Sequence, residues 1–312
     1  IVINTSYEKI MKKVTNGDVV ILDSGISTEL ERRGAKMRDT QWSGSVSIEA
    51  FDLLVDTHRA YIDAGADVIT VNSYASSRLV LGGTKSEKNL IEINRKNIEA
   101  ALEAREKSGV KDILVAGSIS HQASWQRDGT RVKQQMETQI PDNELHDAFN
   151  EMIGFHETGG VDFLLLEMMN IPYRMKPLFD CVSLSRLPVW CGFSAKRKTE
   201  NSQITSWHDE TTSFEEVVKL SLDYKFDVLG IMHTSVDLIS DCIQIIKKHH
   251  SGAVMAYPDS GYFKSPNWQF SEAISPFELV KFALPWVDND VNIIGGCCGL
   301  GPEHTKQLAT LK

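Results

Sequence analysis

The sequence has no excess of positive charge: 33 Lys and Arg stand against 42 Asp and Glu, a formal charge of −9. A chain of that sign has no general attraction for phosphate backbones or anionic lipid, so neither nucleic acid nor a membrane surface is an expected partner. It also lacks the ~18 consecutive apolar residues that a spanning helix needs. Its first residues, Ile1-Val2-Ile3-Asn4-Thr5, are not a basic segment followed by an apolar one. A soluble, cytoplasmic protein is therefore expected. Cysteine is scarce and odd in number, and two of the five (Cys181, Cys191, Cys242, Cys297 and Cys298) are adjacent. Such a set is no disulfide framework and suits a reducing compartment. Low-complexity tracts, linkers and sequence repeats are missing as well.

What is present is globular. Hydrophobic residues make up 42% and charged residues 24% of 312 positions, which excludes disordered and fibrous classes. Average domain size suggests two domains for this length, whereas a closed α/β barrel of ~250 residues accommodates it as one. Eight short runs rich in Val, Ile and Leu settle the expectation: residues 19–23, 67–72, 112–117, 162–167, 188–193, 227–232, 253–257 and 291–296. Each is continuous rather than alternating in hydrophobicity, the mark of strands covered on both faces. The segments between them have helical spacing. Phe51, Leu54, Val55 and Ile62 share one face before Gly65, and Ile91, Ile98 and Leu102 share another before Gly109. Eight strand–helix units predict a (β/α)8 TIM barrel spanning 1–312 as one domain.

In that architecture the ends of the strands and the loops after them build the active site. The longest connections are 118–141, with Trp125, Arg127 and Asp128, and 258–273, with Trp268; either is a lid candidate. The strand ends carry Asp23, Asn72 to Tyr74, Ser118 and His121, Glu167, His233, Tyr257 to Asp259, and Cys297 with Cys298. In Gly295-Gly296-Cys297-Cys298-Gly299 the flanking glycines allow a sharp turn, and both thiols are placed to reach a soft cation, although two small buried residues or a vicinal disulfide would fit the same letters. Two thiolates do not complete a tetrahedral site. His233 is the candidate third ligand, with a core histidine as the competing reading. Asp23 and Glu167 are carboxylates suited to an ammonium group, to acid–base work or to helix capping. Trp42 and Tyr74 offer faces for an onium cation, or simply packing.

These residues fall into longer blocks: Leu22-Asp23-Ser24-Gly25-Ile26-Ser27-Thr28-Glu29-Leu30-Glu31-Arg32-Arg33-Gly34, Gln41-Trp42-Ser43, Asn72-Ser73-Tyr74-Ala75-Ser76, Tyr257-Pro258-Asp259-Ser260-Gly261 and the Gly-Gly-Cys-Cys-Gly segment. Over nearly its whole length the chain resembles the homocysteine S-methyltransferases, the group with the betaine-dependent and S-methylmethionine-dependent enzymes. The resemblance implies a zinc-bearing barrel in which the thiolate of L-homocysteine binds the metal and attacks the methyl group of a sulfonium or quaternary ammonium donor, giving methionine. It makes Cys297 and Cys298 metal ligands, has Asp23 and Glu167 hold the amino group as catalytic residues, and lines the substrate pocket with Gly25, Trp42, Thr70 and Tyr74.

The sequence departs from that family where the sixth strand ends. There the family has Gly, a small residue, Asn and a zinc-binding Cys, whereas this chain reads Gly230-Ile231-Met232-His233. With imidazole replacing a thiolate, a dication holding the substrate sulfur carries a net −1 instead of −2. Iron(II) or cobalt(II) then become plausible beside zinc, and the bound thiol becomes more acidic but less nucleophilic. The third strand is followed by Gly117-Ser118-Ile119-Ser120-His121-Gln122, without the Gly-Pro pair common in the family, and His121 is a candidate extra ligand or proton carrier. About a dozen residues follow Gly299, so the oligomerisation extension of the betaine enzymes is not expected, and a monomer or small homo-oligomer is. Two alternatives stand beside methyl transfer to homocysteine: a metalloenzyme for another thiol or onium substrate, and a non-catalytic metal- or thiol-binding paralogue.

Overall fold

The computed structural model describes residues 5–38, 41–123, 139–264 and 267–312. Eight parallel strands form the expected barrel: β1 (Val20–Ile21), β2 (Val68–Thr70), β3 (Leu114–Ser120), β4 (Phe163–Met169), β5 (Val189–Phe193), β8 (Val228–Ser235), β9 (Ala253–Asp259) and β12 (Ile293–Ile294). Their order is β1-β12-β9-β8-β5-β4-β3-β2. A parallel bridge between Leu22 and Val68 joins the two ends, and the amide of Asp23 donates to Val68 O at 2.9 Å. The fold is a (β/α)8 TIM barrel.

The continuous apolar runs are explained by the two sides of each strand. Val20, Leu22, Leu165, Trp190, Val228 and Ile293 fill the barrel interior. Their neighbours Ile21, Leu164, Leu166, Cys191, Leu229 and Ile294 pack outward against helices. The Thr5–Thr15 helix covers the lower end with Tyr7, Ile10 and Val14. The Tyr7 hydroxyl donates to Asp227 Oδ2 at 2.6 Å and accepts from Trp190 Nε1 at 2.9 Å. The site must therefore open at the opposite rim.

Three expectations are corrected. Ile91 does not join the buried face of the Leu90–Ser108 helix: it is 68% exposed, and Leu90, Ile93, Ile98, Ala101 and Ala104 form that face. β4 and β8 run past residues 167 and 232, and both carry register shifts, between Leu166 and Met169 and between Met232 and Ser235. The connections hold two antiparallel hairpins that alternation did not signal, β6 (Ala195–Arg197) with β7 (Ile204–Ser206) and β10 (Tyr262–Lys264) with β11 (Asn267–Gln269). Trp125, Arg127 and Asp128 lie outside the described residues. Among the described residues no helix is long and apolar enough to cross a membrane.

Candidate active site and metal centre

Asp23 leaves β1 pointing into the upper end of the barrel, where burial removes its carboxylate from water. It does not cap the following helix. Its Oδ2 accepts from the Thr70 amide at 2.6 Å and its Oδ1 from Thr70 Oγ1 at 2.9 Å. Burial is the larger influence and pushes its pKa up to about 8, against those two hydrogen bonds and with a smaller push from Glu167. Glu167, on β4, is likewise raised by burial to about 7, opposed by the Ser118 hydroxyl that donates to its Oε1 at 2.5 Å. Two buried carboxyl groups that hold protons near neutrality are poised to trade them for a cationic partner.

Glu167 and His233 both sit in the register shifts, where the backbone departs from strand geometry and aims side chains off the regular pleat. The neighbouring Met168 has φ 59°, His233 has φ 41°, and Trp42 has φ 44°. Non-glycine residues rarely adopt this region, and here three of them face the same space. His233 is buried, and its Nδ1 lies 3.7 Å from Cys297 Sγ and 3.6 Å from Asp259 Oδ2. Burial opposes its protonation, but the charges of Asp259, Cys297 and Glu167 outweigh that and hold its pKa up at about 9.

The cysteine pair is set by its backbone. The Cys297 amide donates to Pro258 O at 2.7 Å and the Ser260 amide to Cys298 O at 3.0 Å, which ties the turn to the end of β9. Gly299 has φ 82°, and a Cβ there would lie 1.8 Å from Ser260 O. Gly25 is equally constrained, since its Cβ would lie 2.6 Å from Cys297 O. Cys297 Sγ and Cys298 Sγ are 3.9 Å apart. Contact with Cys298, together with burial, holds the Cys297 thiol well above its ordinary pKa. The ligand atoms of His233, Cys297 and Cys298 all lie within 4.8 Å of one another. Two sulfurs and an imidazole nitrogen, converging from β8 and the turn after β12, fit zinc and related borderline cations, with further coordination positions left for a ligand.

Asp23, Gly25, Trp42, Thr70, Tyr74, Glu167, His233, Cys297 and Cys298 all line one cavity of about 740 Å3. Thr70 lines it and also holds the Asp23 carboxyl through its amide and hydroxyl. Trp42 stacks on Tyr74 with ring centroids 5.9 Å apart, and the Tyr74 hydroxyl donates to Met168 Sδ at 3.0 Å. His121 stands apart from the ligand cluster. Its Nε2 accepts from the amides of Asn170 and Ile171 at 3.2 and 3.3 Å, a structural role ahead of the Pro172–Val182 helix. Sequence reasoning missed Met168 and Trp207. The first sits in a bulge that no periodicity reveals. The second follows the β6–β7 hairpin, and its ring centroid is 5.5 Å from that of His233.

Comparisons with known proteins give the family of the chain. The family model described as homocysteine S-methyltransferase matches residues 20–311. Homocysteine S-methyltransferase 1 of Arabidopsis thaliana is 27% identical, with 97% of this chain and 95% of the relative covered. Selenocysteine Se-methyltransferase of Brassica oleracea var. italica is 26% identical, with 97% and 91% covered. The crystal structure of the metallated homocysteine methyltransferase MmuM from Escherichia coli shares the fold, with a TM-score of 0.76 at 21% identity over 99% of this chain and all of that one. The chain belongs to the homocysteine S-methyltransferase family of methyltransferase enzymes.

Proposed function

We propose that the protein moves a methyl group from a sulfonium or quaternary ammonium donor, of the S-methylmethionine, betaine or dimethylsulfoniopropionate type, to the sulfur of L-homocysteine, yielding methionine. The observation that carries this reading is the convergence of His233, Cys297 and Cys298 in the same cavity as the carboxyl groups of Asp23 and Glu167. His233 and the two cysteines would hold zinc, with iron(II) or cobalt(II) as alternatives for a nitrogen-containing set. Bound there, the metal supplies acidification of a coordinated thiol, so that a thiolate exists near neutral pH without a separate base.

The residues of the chain supply the rest. Asp23 and Glu167 take the substrate ammonium, each giving up its proton to do so, and Thr70 fixes the direction of Asp23. Trp42 and Tyr74 present ring faces that hold a cationic donor beside the acceptor. Displacement requires sulfur, methyl carbon and leaving heteroatom in line, so this positioning contributes directly to the rate. The new S–CH3 bond forms as the donor's heteroatom–methyl bond breaks. The electron pair stays on the heteroatom, which leaves as a neutral sulfide or amine, and no oxidant or reductant enters. The enzyme acts on small molecules as a monomer or small homo-oligomer. Metal-loaded protein is expected to consume homocysteine thiol and form methionine with at least one of S-methylmethionine, betaine, dimethylsulfoniopropionate or S-adenosylmethionine. No consumption with any of them contradicts the proposal.

A relative named as a selenocysteine Se-methyltransferase favours one second reading, a selenol acceptor. Product mass spectrometry with homocysteine and selenocysteine in competition separates the two.

A further inference from the structure

At the top of β4 the pairing with β5 runs from Leu166–Cys191 to Met169–Phe193, and Glu167 and Met168 fall in the skipped stretch. Met168 holds φ at 59°, a conformation that an L side chain keeps only where its surroundings over-determine it. Each polar group of Met168 is tied. Its amide donates to Met232 Sδ at 3.1 Å, its Sδ accepts from the Tyr74 hydroxyl at 3.0 Å, and its carbonyl accepts from Asn170 Nδ2 at 2.5 Å. That last bond fixes which way the fully buried Asn170 amide points and leaves its Oδ1 in need of a donor. His208 Nδ1 supplies it at 2.5 Å, and because an amide oxygen only accepts, Nδ1 carries the proton. The Asn170 main chain is held too: its amide donates to His121 Nε2 at 3.2 Å, and its carbonyl accepts from the Ser206 hydroxyl. His208 follows directly on Trp207, whose ring lies against that of His233 with centroids 5.5 Å apart.

Resting on the reading in which Asp23 and Glu167 take the ammonium of the acceptor, we propose that Asn170 and His208 are positioning residues, which lock the β4 bulge so that Glu167 and Met168 face the cavity. Glu167 and Met168 line that cavity, whereas Asn170 and His208 stand behind it and act through the Met168 carbonyl. Without the imidazole donor, Asn170 Oδ1 becomes a buried acceptor left unpaired, a cost that rotation of the amide relieves. Rotation withdraws Nδ2 from the Met168 carbonyl. The strained peptide then loses one of its ties, and the Glu167 backbone relaxes with it. The β6–β7 hairpin thereby reaches both halves of the site, the metal-ligand ring through Trp207 and the carboxylate strand through His208.

The test is calorimetric binding of L-norleucine, a thiol-free acceptor analogue, to the zinc-loaded protein. Asn170→Leu and His208→Ala are each expected to weaken norleucine by about tenfold, as loss of a buried hydrogen bond does. Zinc affinity should stay within about twofold of the native value, since neither residue is a ligand. His208→Asn places an amide N–H near the position of Nδ1 and should restore most of the binding. His208→Asp puts an acceptor against an acceptor and should not; this pair decides the matter if Asn170→Leu fails to fold. A lowered thermal midpoint with norleucine affinity retained overturns the positioning role, and so does a parallel loss of zinc and norleucine. A native protein that binds no norleucine overturns the acceptor reading instead. The lock is then decided by the Met168 methyl resonance in NMR spectra, which should move in Asn170→Leu and His208→Asp and stay in place in His208→Asn. A resonance indifferent to all three variants overturns the lock.

Discussion

Cys297 Sγ lies 3.7 Å from His233 Nδ1 although 64 positions separate the two residues. They meet because β8 and β12 both flank β9, and because a register shift in β8 turns His233 toward the Cys297–Cys298 turn. Removing either His233 or Cys298 leaves a two-donor remnant. His233→Ala and Cys298→Ala are each expected to weaken zinc binding by about 100-fold or more. Competition titration against a chelating dye checks this.

Binding of the amino-acid substrate should strengthen with pH. Below about pH 6 both Asp23 and Glu167 hold their protons, since burial raises them to about 8 and about 7. An ammonium group pairs only with the ionised forms, so affinity rises as pH passes through those values. Calorimetry in buffers of different ionisation enthalpy, with the thiol-free analogue L-norleucine so that no sulfur proton is counted, should record proton release on binding at pH 6.5 and little at pH 9. Pre-ionised carboxylates would give no release at either pH.

The same shift makes Asp23 a stability cost at high pH. Its folded pKa of about 8 exceeds the ordinary carboxyl value, so the folded chain binds that proton more tightly. The stabilisation this gives is complete at low pH and is lost as pH rises through about 8. Asp23→Asn removes the charge. Its thermal midpoint relative to the native protein should therefore be higher at pH 9 than at pH 5, while binding of the amino acid falls. Parallel scanning calorimetry at the two values tests the sign.

Restoring the family letters should harm this protein. Met232 Sδ accepts from the Met168 amide at 3.1 Å and from the Ser194 hydroxyl at 3.3 Å, and the His233 ring is bordered by Trp207, Trp268 and Asp259. The surroundings are built for imidazole and thioether. Met232→Asn with His233→Cys is expected to lower kcat/KM for methyl transfer by about tenfold or more, as loss of positioning does. A large gain would mean that the His-containing site is a degenerate one.

Much of this was legible in the sequence because the barrel announces itself through continuous apolar runs, and because its strand ends collect chemistry. Asp23, Glu167, His233 and the cysteine pair could be named from position, and the structure brings them around one cavity. Distances within the set were not legible, since they depend on bulges at Met168 and His233 that shift side chains off the regular pleat. The three-residue strands of the β10–β11 hairpin are half exposed and too short for alternation to show, so Phe263 gave no signal. His121 looked like a ligand because it follows a strand, yet its nitrogen is spent on backbone amides.

The most direct test is the absorption spectrum of the cobalt(II)-substituted protein during titration with L-homocysteine. One cobalt per chain is predicted, with tetrahedral bands and sulfur-to-metal charge transfer from Cys297 and Cys298 that intensifies as a third sulfur joins. A spectrum without sulfur charge transfer, or one that homocysteine leaves unchanged, would contradict a His233–Cys297–Cys298 centre that takes the substrate thiol.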